Sequence, residues 1–281
     1  MNTTFIALSS MSGIVCASDT DHTIYQLSKT LPLAVAVNSL SPIPWDSIID
    51  TYKRKKKLEP IATIKECAID FVNSFPNLLE GSWSNLTVDD RNIIFMGYGQ
   101  DDLFPSVYDI MISWNEAGGQ VEISDELFTQ ISHQKPASIN LLGNLESVST
   151  ILWGATRETK AFLLKKHLEQ FEIYKHRVLD KFEGTEFEEF VTQKLSNYDP
   201  VMAFVNVIDE ATDETFNEIQ RGIDSFSIEE MVTAAETIVD AEVRLDHLSS
   251  GRMGPLHSTR EIAVITRIEG LTWIKHSLYA Q

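Results

Sequence analysis

Cysteine is nearly absent. The 281-residue chain has two, Cys16 and Cys67, too few for a disulfide framework and in keeping with a reducing compartment. Positive charge is scarce as well: 23 Lys and Arg stand against 41 Asp and Glu, a formal net charge of −18. Phosphate binding needs clustered Lys and Arg, so this balance excludes a general nucleic-acid binder. The same charge is repelled by anionic lipid headgroups. Long apolar runs are missing. The best, Leu31 to Val37, has strand length, well short of the ~20 residues that a bilayer demands. The segment Met1-Asn2-Thr3-Thr4 has neither a basic n-region nor a long apolar h-region, so no signal peptide is read there. The sequons at Asn2 and Asn85 then carry no weight, and the expected setting is cytoplasmic with no membrane contact.

Common chemical motifs are missing too. There is no glycine-rich loop followed by Lys, no Cys-x-x-Cys and no His-Glu-x-x-His. Gly97-Tyr98-Gly99 follows a strand-like run, but the third glycine of a dinucleotide turn is lacking, so it reads as a plain turn. His247 and His257 flank a loop without an accompanying cysteine, and Asp101-Asp102 stand where a turn favours Asp anyway. No metal and no cofactor is expected.

What is present is an unevenly charged, globular composition, 43% hydrophobic. Between Asp180 and Asp246 lie 18 acidic residues against Lys181, Lys194, Arg221 and Arg244, a pattern of solvated helix faces. The opposite extreme is Lys53-Arg54-Lys55-Lys56-Lys57, where basic residues complement the dipole at a helix C-terminus.

Apolar spacing gives the order of elements. Thr4 to Leu8 and Gly13 to Ala17 form an opening hairpin, followed by strands over Thr23 to Leu27 and Pro32 to Val37. Trp45, Ile48, Ile49 and Tyr52 recur at helical spacing after Pro44, and a second helix from Pro60 carries Ile64, Cys67, Ala68, Phe71 and Val72 before Phe75-Pro76-Asn77. Strands return over Ile93 to Met96, Val107 to Trp114, Gln120 to Ile123 and Ser138 to Leu142. Ser147 to Leu195 is mostly helical, interrupted at Gly154 and Gly184, and helices follow over Val201 to Ile219 and Ile228 to Leu248. Ile262 to Arg267 and Leu271 to Ile274 close the chain as a hairpin turning at Glu269-Gly270. Helices grouped between strand blocks predict an α+β fold of antiparallel sheets covered by helices. We expect one domain over 1–281, with a helical insertion at about 125–225.

The N-terminus carries a specific pattern. Thr3-Thr4-Phe5-Ile6-Ala7, then Ser12-Gly13-Ile14-Val15-Cys16-Ala17-Ser18-Asp19, resembles the opening of proteasome β-subunits and their bacterial ring-protease relatives. Ile24 to Ser28, Pro32 to Val35, Pro44 to Ile49, Tyr52-Lys53, Gly97 to Gly99, Phe104 to Ser106 and the ending Gly254-Pro255 through Ile262 to Lys275 are similar to an uncharacterised prokaryotic branch of that superfamily. The resemblance implies the four-layer αββα sandwich of N-terminal-nucleophile hydrolases, a homo-oligomer in the form of a ring, and Thr3 in the nucleophile position with Asp19 in the family's Asp position. In such chemistry the hydroxyl needs a base, which the free α-amine of the same Thr supplies, and a Lys ammonium lowers the hydroxyl pKa.

The chain departs from that pattern at three points. The Lys position is occupied by Thr23, the nearest lysine being Lys29. The oxyanion glycine is replaced within Val37-Asn38-Ser39, where a lost donor costs about 2.7 to 4 kcal/mol. Thr3 is preceded by Met1-Asn2, and without cleavage it has no free amine. The expectation is a degenerate site in a structural or interaction subunit. The alternative is an active threonine-type peptidase or amidohydrolase using Thr3 after removal of Met1-Asn2. Ser18 or Ser39 as a substitute nucleophile lacks an evident base.

Overall fold

The computed structural model describes residues 3–28, 31–40, 43–55, 63–78, 91–115, 120–143, 152, 157–250 and 259–276. Met1-Asn2, Lys29, Lys56-Lys57, Pro60, Asn85, Gly154 and Gly254-Pro255 lie outside them, as does His257. The chain divides into two compact units. One is Met1–Val148 with Gln220–Gln281, the other Ser149–Ile219.

The first unit is built on two antiparallel five-stranded sheets. Strands β1 (Thr4–Ser10), β2 (Gly13–Ser18), β8 (Ala137–Gly143), β9 (Glu261–Thr266) and β10 (Gly270–Lys275) make one, in the order β10-β9-β2-β1-β8. Strands β3 (Ile24–Gln26), β4 (Leu33–Val37), β5 (Arg91–Gly97), β6 (Ser106–Asn115) and β7 (Gln120–Gln130) make the other, in chain order. Every residue of β1, β2 and β4 is buried. That explains the apolar runs Phe5 to Leu8, Ile14 to Ala17 and Leu33 to Val37, since a strand covered on both faces has no solvent side; the polar residues at the strand ends, Thr4, Ser9, Ser10 and Ser18, are buried as well.

Alternate side chains of the two sheets meet in one apolar layer. Phe5, Ala7, Ile14, Cys16, Ala263 and Ile265 from the first pack with Ile24, Ala34, Ala36, Ile94, Met96 and Val107 from the second. On the far face of the second sheet lie α1 (Trp45–Lys55) and α2 (Ile64–Leu78). Their stripes of Trp45, Ile48, Ile49 and Tyr52, and of Ile64, Cys67, Ala68, Phe71 and Phe75, pack with Val35, Phe95, Tyr108 and Ile110. The Thr63 hydroxyl accepts the Glu66 N–H at 3.1 Å, so α2 opens on a Thr cap. Helix α6 (Ile228–Ser250) lies against β1, β2 and β9. It opens on a capping box in which Ser227 and Glu230 exchange bonds of 2.8 and 3.3 Å.

The second unit contains α3 (Arg157–Phe182), α4 (Glu188–Ser196) and most of α5 (Pro200–Asp224). Gly184, at φ 70°, breaks α3 from α4. Among the described residues the fold is thus mixed, with two antiparallel sheets and six helices. Three sequence expectations differ in extent. β7 continues to Gln130 instead of stopping near Ile123, α2 runs through Pro76 to Leu78, and residues 125–143, grouped above with the helical section, hold the end of β7 and all of β8. No described helix is long and apolar enough to cross a membrane.

Candidate functional site

The start of β1 meets the ends of β2 and β4 in a cluster of hydroxyls. Thr3 and Thr23 are fully buried, while Thr20, Asn38 and Ser39 are half-buried. The Thr3 hydroxyl donates to Asn38 Oδ1 at 3.1 Å and accepts from Thr20 Oγ1 at 3.3 Å, with Ser39 Oγ also at 3.3 Å. Thr20 Oγ1 in turn lies 2.8 Å from Thr23 Oγ1 and 3.0 Å from Ser39 Oγ, and those two are 3.2 Å apart.

Proton counting gives this network a direction. A hydroxyl donates once and accepts twice. Thr20 donates to Thr3, the single Thr23 proton serves either the Thr20 carbonyl at 3.3 Å or a neighbouring hydroxyl, and Ser39 donates to one hydroxyl of the same group. The chain of donors ends at Asn38 Oδ1, which is fixed as an acceptor because it also takes the Leu40 N–H at 3.1 Å. A neutral amide oxygen holds a hydroxyl but does not remove its proton. The described partners of Thr3 Oγ1 therefore include no base.

The third expected residue sits beside this cluster and binds the main chain. Asp19 Oδ1 accepts the Thr4 N–H at 2.8 Å, and the Asp19 N–H donates to the Thr4 carbonyl at 3.2 Å. Asp19 thereby closes the opening hairpin next to Thr3. Burial pushes its carboxyl up to about 6, against the lowering effect of the Thr4 hydrogen bond and the Arg260 charge. A proton thus binds Asp19 more tightly in the folded chain than in the unfolded one. The stability that it contributes is fully present below the ordinary carboxylate range and is lost as pH rises through about 6. Asp19→Asn keeps the acceptor for Thr4 without this loss. The variant is expected to be more stable than wild type at pH 7, with the gap closing by about pH 4. Urea unfolding at both values checks this, and a gap of constant size contradicts it.

Two neighbours missed by sequence reasoning position the cluster. Glu261 opens β9 and is buried, yet its carboxylate reaches the segment before β3. Oε1 accepts the His22 N–H at 3.0 Å, and Oε2 accepts the N–H groups of Thr23 and Ile24, both at 3.1 Å. Burial outweighs these bonds and raises the Glu261 carboxyl above its usual range. Gly143, the last residue of β8, pairs with Thr4 at φ 103°. A Cβ there would lie 1.5 Å from the Thr3 carbonyl oxygen, so only glycine lets β8 close against the start of β1. The one sequence signal for Glu261 was a charged residue at the head of an otherwise apolar strand.

At the rim, Arg260 pairs with Asp21 at 2.7 Å. Asp46, in the first turn of α1, takes a bond of 2.9 Å from the Tyr25 hydroxyl and lies 3.1 Å from His22 Nδ1. Among the described residues no group of three or more His, Cys, Asp or Glu is placed to hold a metal ion.

Comparison with known proteins gives distant likenesses to solved structures alone. No family model matches the chain, and no curated protein matches it. Among solved structures it is similar to Anbu (ancestral beta-subunit) from Yersinia bercovieri, at 14% identity and a TM-score of 0.31. The match covers 49% of this chain and 57% of that one, so the chain spans little more than half the length of this neighbour.

Proposed function

We propose that this chain is a proteasome-like protein of the N-terminal-nucleophile hydrolase superfamily, a four-layer αββα sandwich enlarged by a helical section, in which the nucleophile site is degenerate. Its role is that of a non-catalytic structural or interaction subunit within a homo-oligomer. One observation carries this reading: every described hydrogen-bond partner of the Thr3 hydroxyl is neutral, with Thr23 at the Lys position bonded into the same network. A hydroxyl nucleophile needs a base and a stabilised oxyanion, and together these are worth several kcal/mol of transition-state stabilisation. Layering supports the fold part of the reading, since helices lie against both sheets and the sheets pack on each other.

The test is intact mass after exposure to an electrophilic peptide that captures threonine nucleophiles, such as a peptide epoxyketone. We expect the unmodified chain with Asn2 retained. A mass showing loss of Met1-Asn2 together with an adduct on Thr3 would overturn the reading and establish the threonine-type hydrolase instead.

A further inference from the structure

The helical unit Ser149–Ile219 is stabilised differently from the sheet unit. Among its described side chains only Leu152 and Thr212 are buried. Helix α4 buries none, whereas α6, in the sheet unit, buries Met231, Ala235, Val239 and Val243. What packing the helical unit has is made by half-buried groups. Leu164 and Leu168 are of this kind, and Phe171 lies near Tyr198 and His167 near Phe204 at ring distances of 5.2 Å. Phe162, Tyr174, Phe187, Phe190 and Val207 stay 53% to 64% exposed. Helices in proteins draw most of their stability from burying one face, so a unit with this little burial opens at a small free energy.

Charge lowers that free energy further along α5. From Leu195 to Gln220 the chain has no Lys, Arg or His against six acidic residues. Five of them, Asp209, Glu210, Asp213, Glu214 and Glu218, are exposed on α5. Helical spacing sets them against one another: Asp209 and Asp213, Glu210 and Glu214, and Glu214 and Glu218 are each four apart, the separation at which like charges destabilise a helix. Among the described residues none of the five forms an ion pair. Helix α3, by contrast, pairs Lys166 with Glu169 at 2.7 Å and Lys175 with Glu172 at 3.8 Å. The helix dipole does not compensate the acidic row either, because the row lies in the middle of a 25-residue helix, away from its first turn.

We infer that the helical unit is a conformational switch set by ionic strength: at low salt it opens while the sheets stay folded, and screening of the acidic row on α5 closes it. Salt can do this because the screening length falls from about 30 Å at 0.01 M to about 3 Å at 1 M, shorter than the spacing of side chains four apart. The switch is independent of the chemistry at Thr3. Hydrogen exchange of the full-length chain at pH 7, in about 0.01 M and about 0.5 M NaCl, tests it. At low salt the amides of 157–219 are expected to be at least about tenfold less protected than those of β1 and β2. At high salt, protection of 200–219 is expected to rise about threefold or more, with β1 and β2 unchanged. Glu214→Lys turns its pairs with Glu210 and Glu218 from repulsive to attractive at no cost in helix propensity. It is expected to raise low-salt protection of 200–219 about fourfold or more and to abolish the gain with salt. A helical unit as protected as the sheets at low salt would overturn the switch. So would a wild-type chain whose α5 ignores salt, or a salt response that Glu214→Lys leaves as it was.

Discussion

Gly97→Ala is expected to destabilise the sheet unit by at least about 4 kcal/mol. Gly97 ends β5 opposite Leu33 of β4 and has φ 142°. A Cβ built there lies 1.9 Å from the Pro32 carbonyl oxygen and 2.9 Å from its carbon. The obstacle is backbone, and it is pinned, because the same Pro32 oxygen accepts the Tyr98 N–H at 3.0 Å. No rotamer change relieves the contact, so β4 and β5 must separate at their shared end. Val35 and Ala34 then withdraw from the two apolar layers at once, since β4 is buried on both faces. For a unit of this size the loss corresponds to a melting temperature lower by roughly 8 to 16 °C. Gly222→Ala is the control. It lies in α5 with nothing within 4 Å of a built Cβ, and helix propensity predicts a gain of up to about 1 kcal/mol. A Gly97→Ala protein that melts within a few degrees of wild type contradicts the close approach at Pro32.

That glycine shows where reading the sequence succeeds and where it stops. Gly97-Tyr98-Gly99 is recognisable as a turn, but nothing nearby says that Pro32, far away in the chain, presses against it. Local patterns are legible because their cause is local. The apolar runs Phe5 to Leu8 in β1 and Ile14 to Ala17 in β2 follow from burial on both faces, the Glu269-Gly270 turn from a left-handed glycine at φ 71°, and the α1 stripe from one buried side. The end of β7 is not legible. Ser124 to Gln130 is mostly polar and includes the exposed Leu127 and Phe128, because an edge strand is held chiefly through its backbone bonds to β6.

The candidate site divides in the same way. Thr3, Asp19 and Thr23 can be named from the order of motifs in the first hairpin. Thr20 joins them through a neighbouring turn, and Asn38 through a separation of 35 residues. Glu261 reaches Thr23 across 238 residues, because β9 pairs with β2 and carries its first residue to the segment that precedes β3. Such a contact depends on sheet order, which periodicity alone does not supply. The replacement of an ammonium by a hydroxyl at position 23 is readable. Its consequence, a closed network of neutral donors around Thr3, follows only from the geometry.

Glu261→Ala is the substitution expected to dismantle that network, at a cost of about 3 to 5 kcal/mol. The carboxylate is the acceptor for three successive N–H groups, of His22, Thr23 and Ile24. Truncation leaves donors at buried positions without their partner, and each such group costs about 1 to 3 kcal/mol. His22 already has φ 59°, a conformation that a non-glycine residue holds only when its surroundings fix it. Releasing the carboxylate lets this residue relax towards ordinary backbone angles. Thr23 then moves, and its hydroxyl leaves Thr20 and Ser39, on which the position of the Thr3 hydroxyl depends. Glu261→Gln retains one acceptor oxygen and turns an amide N–H₂ towards the donors it cannot serve, so about half of the loss is expected. Two measurements are needed together: the urea midpoint, and hydrogen exchange of the amides at 22–24. Faster exchange confined to those amides, with a lowered midpoint, is the expected result. An unchanged midpoint, or exchange that rises evenly across the β1–β2 hairpin and α6, would show that Glu261 is not what holds the segment carrying Thr23.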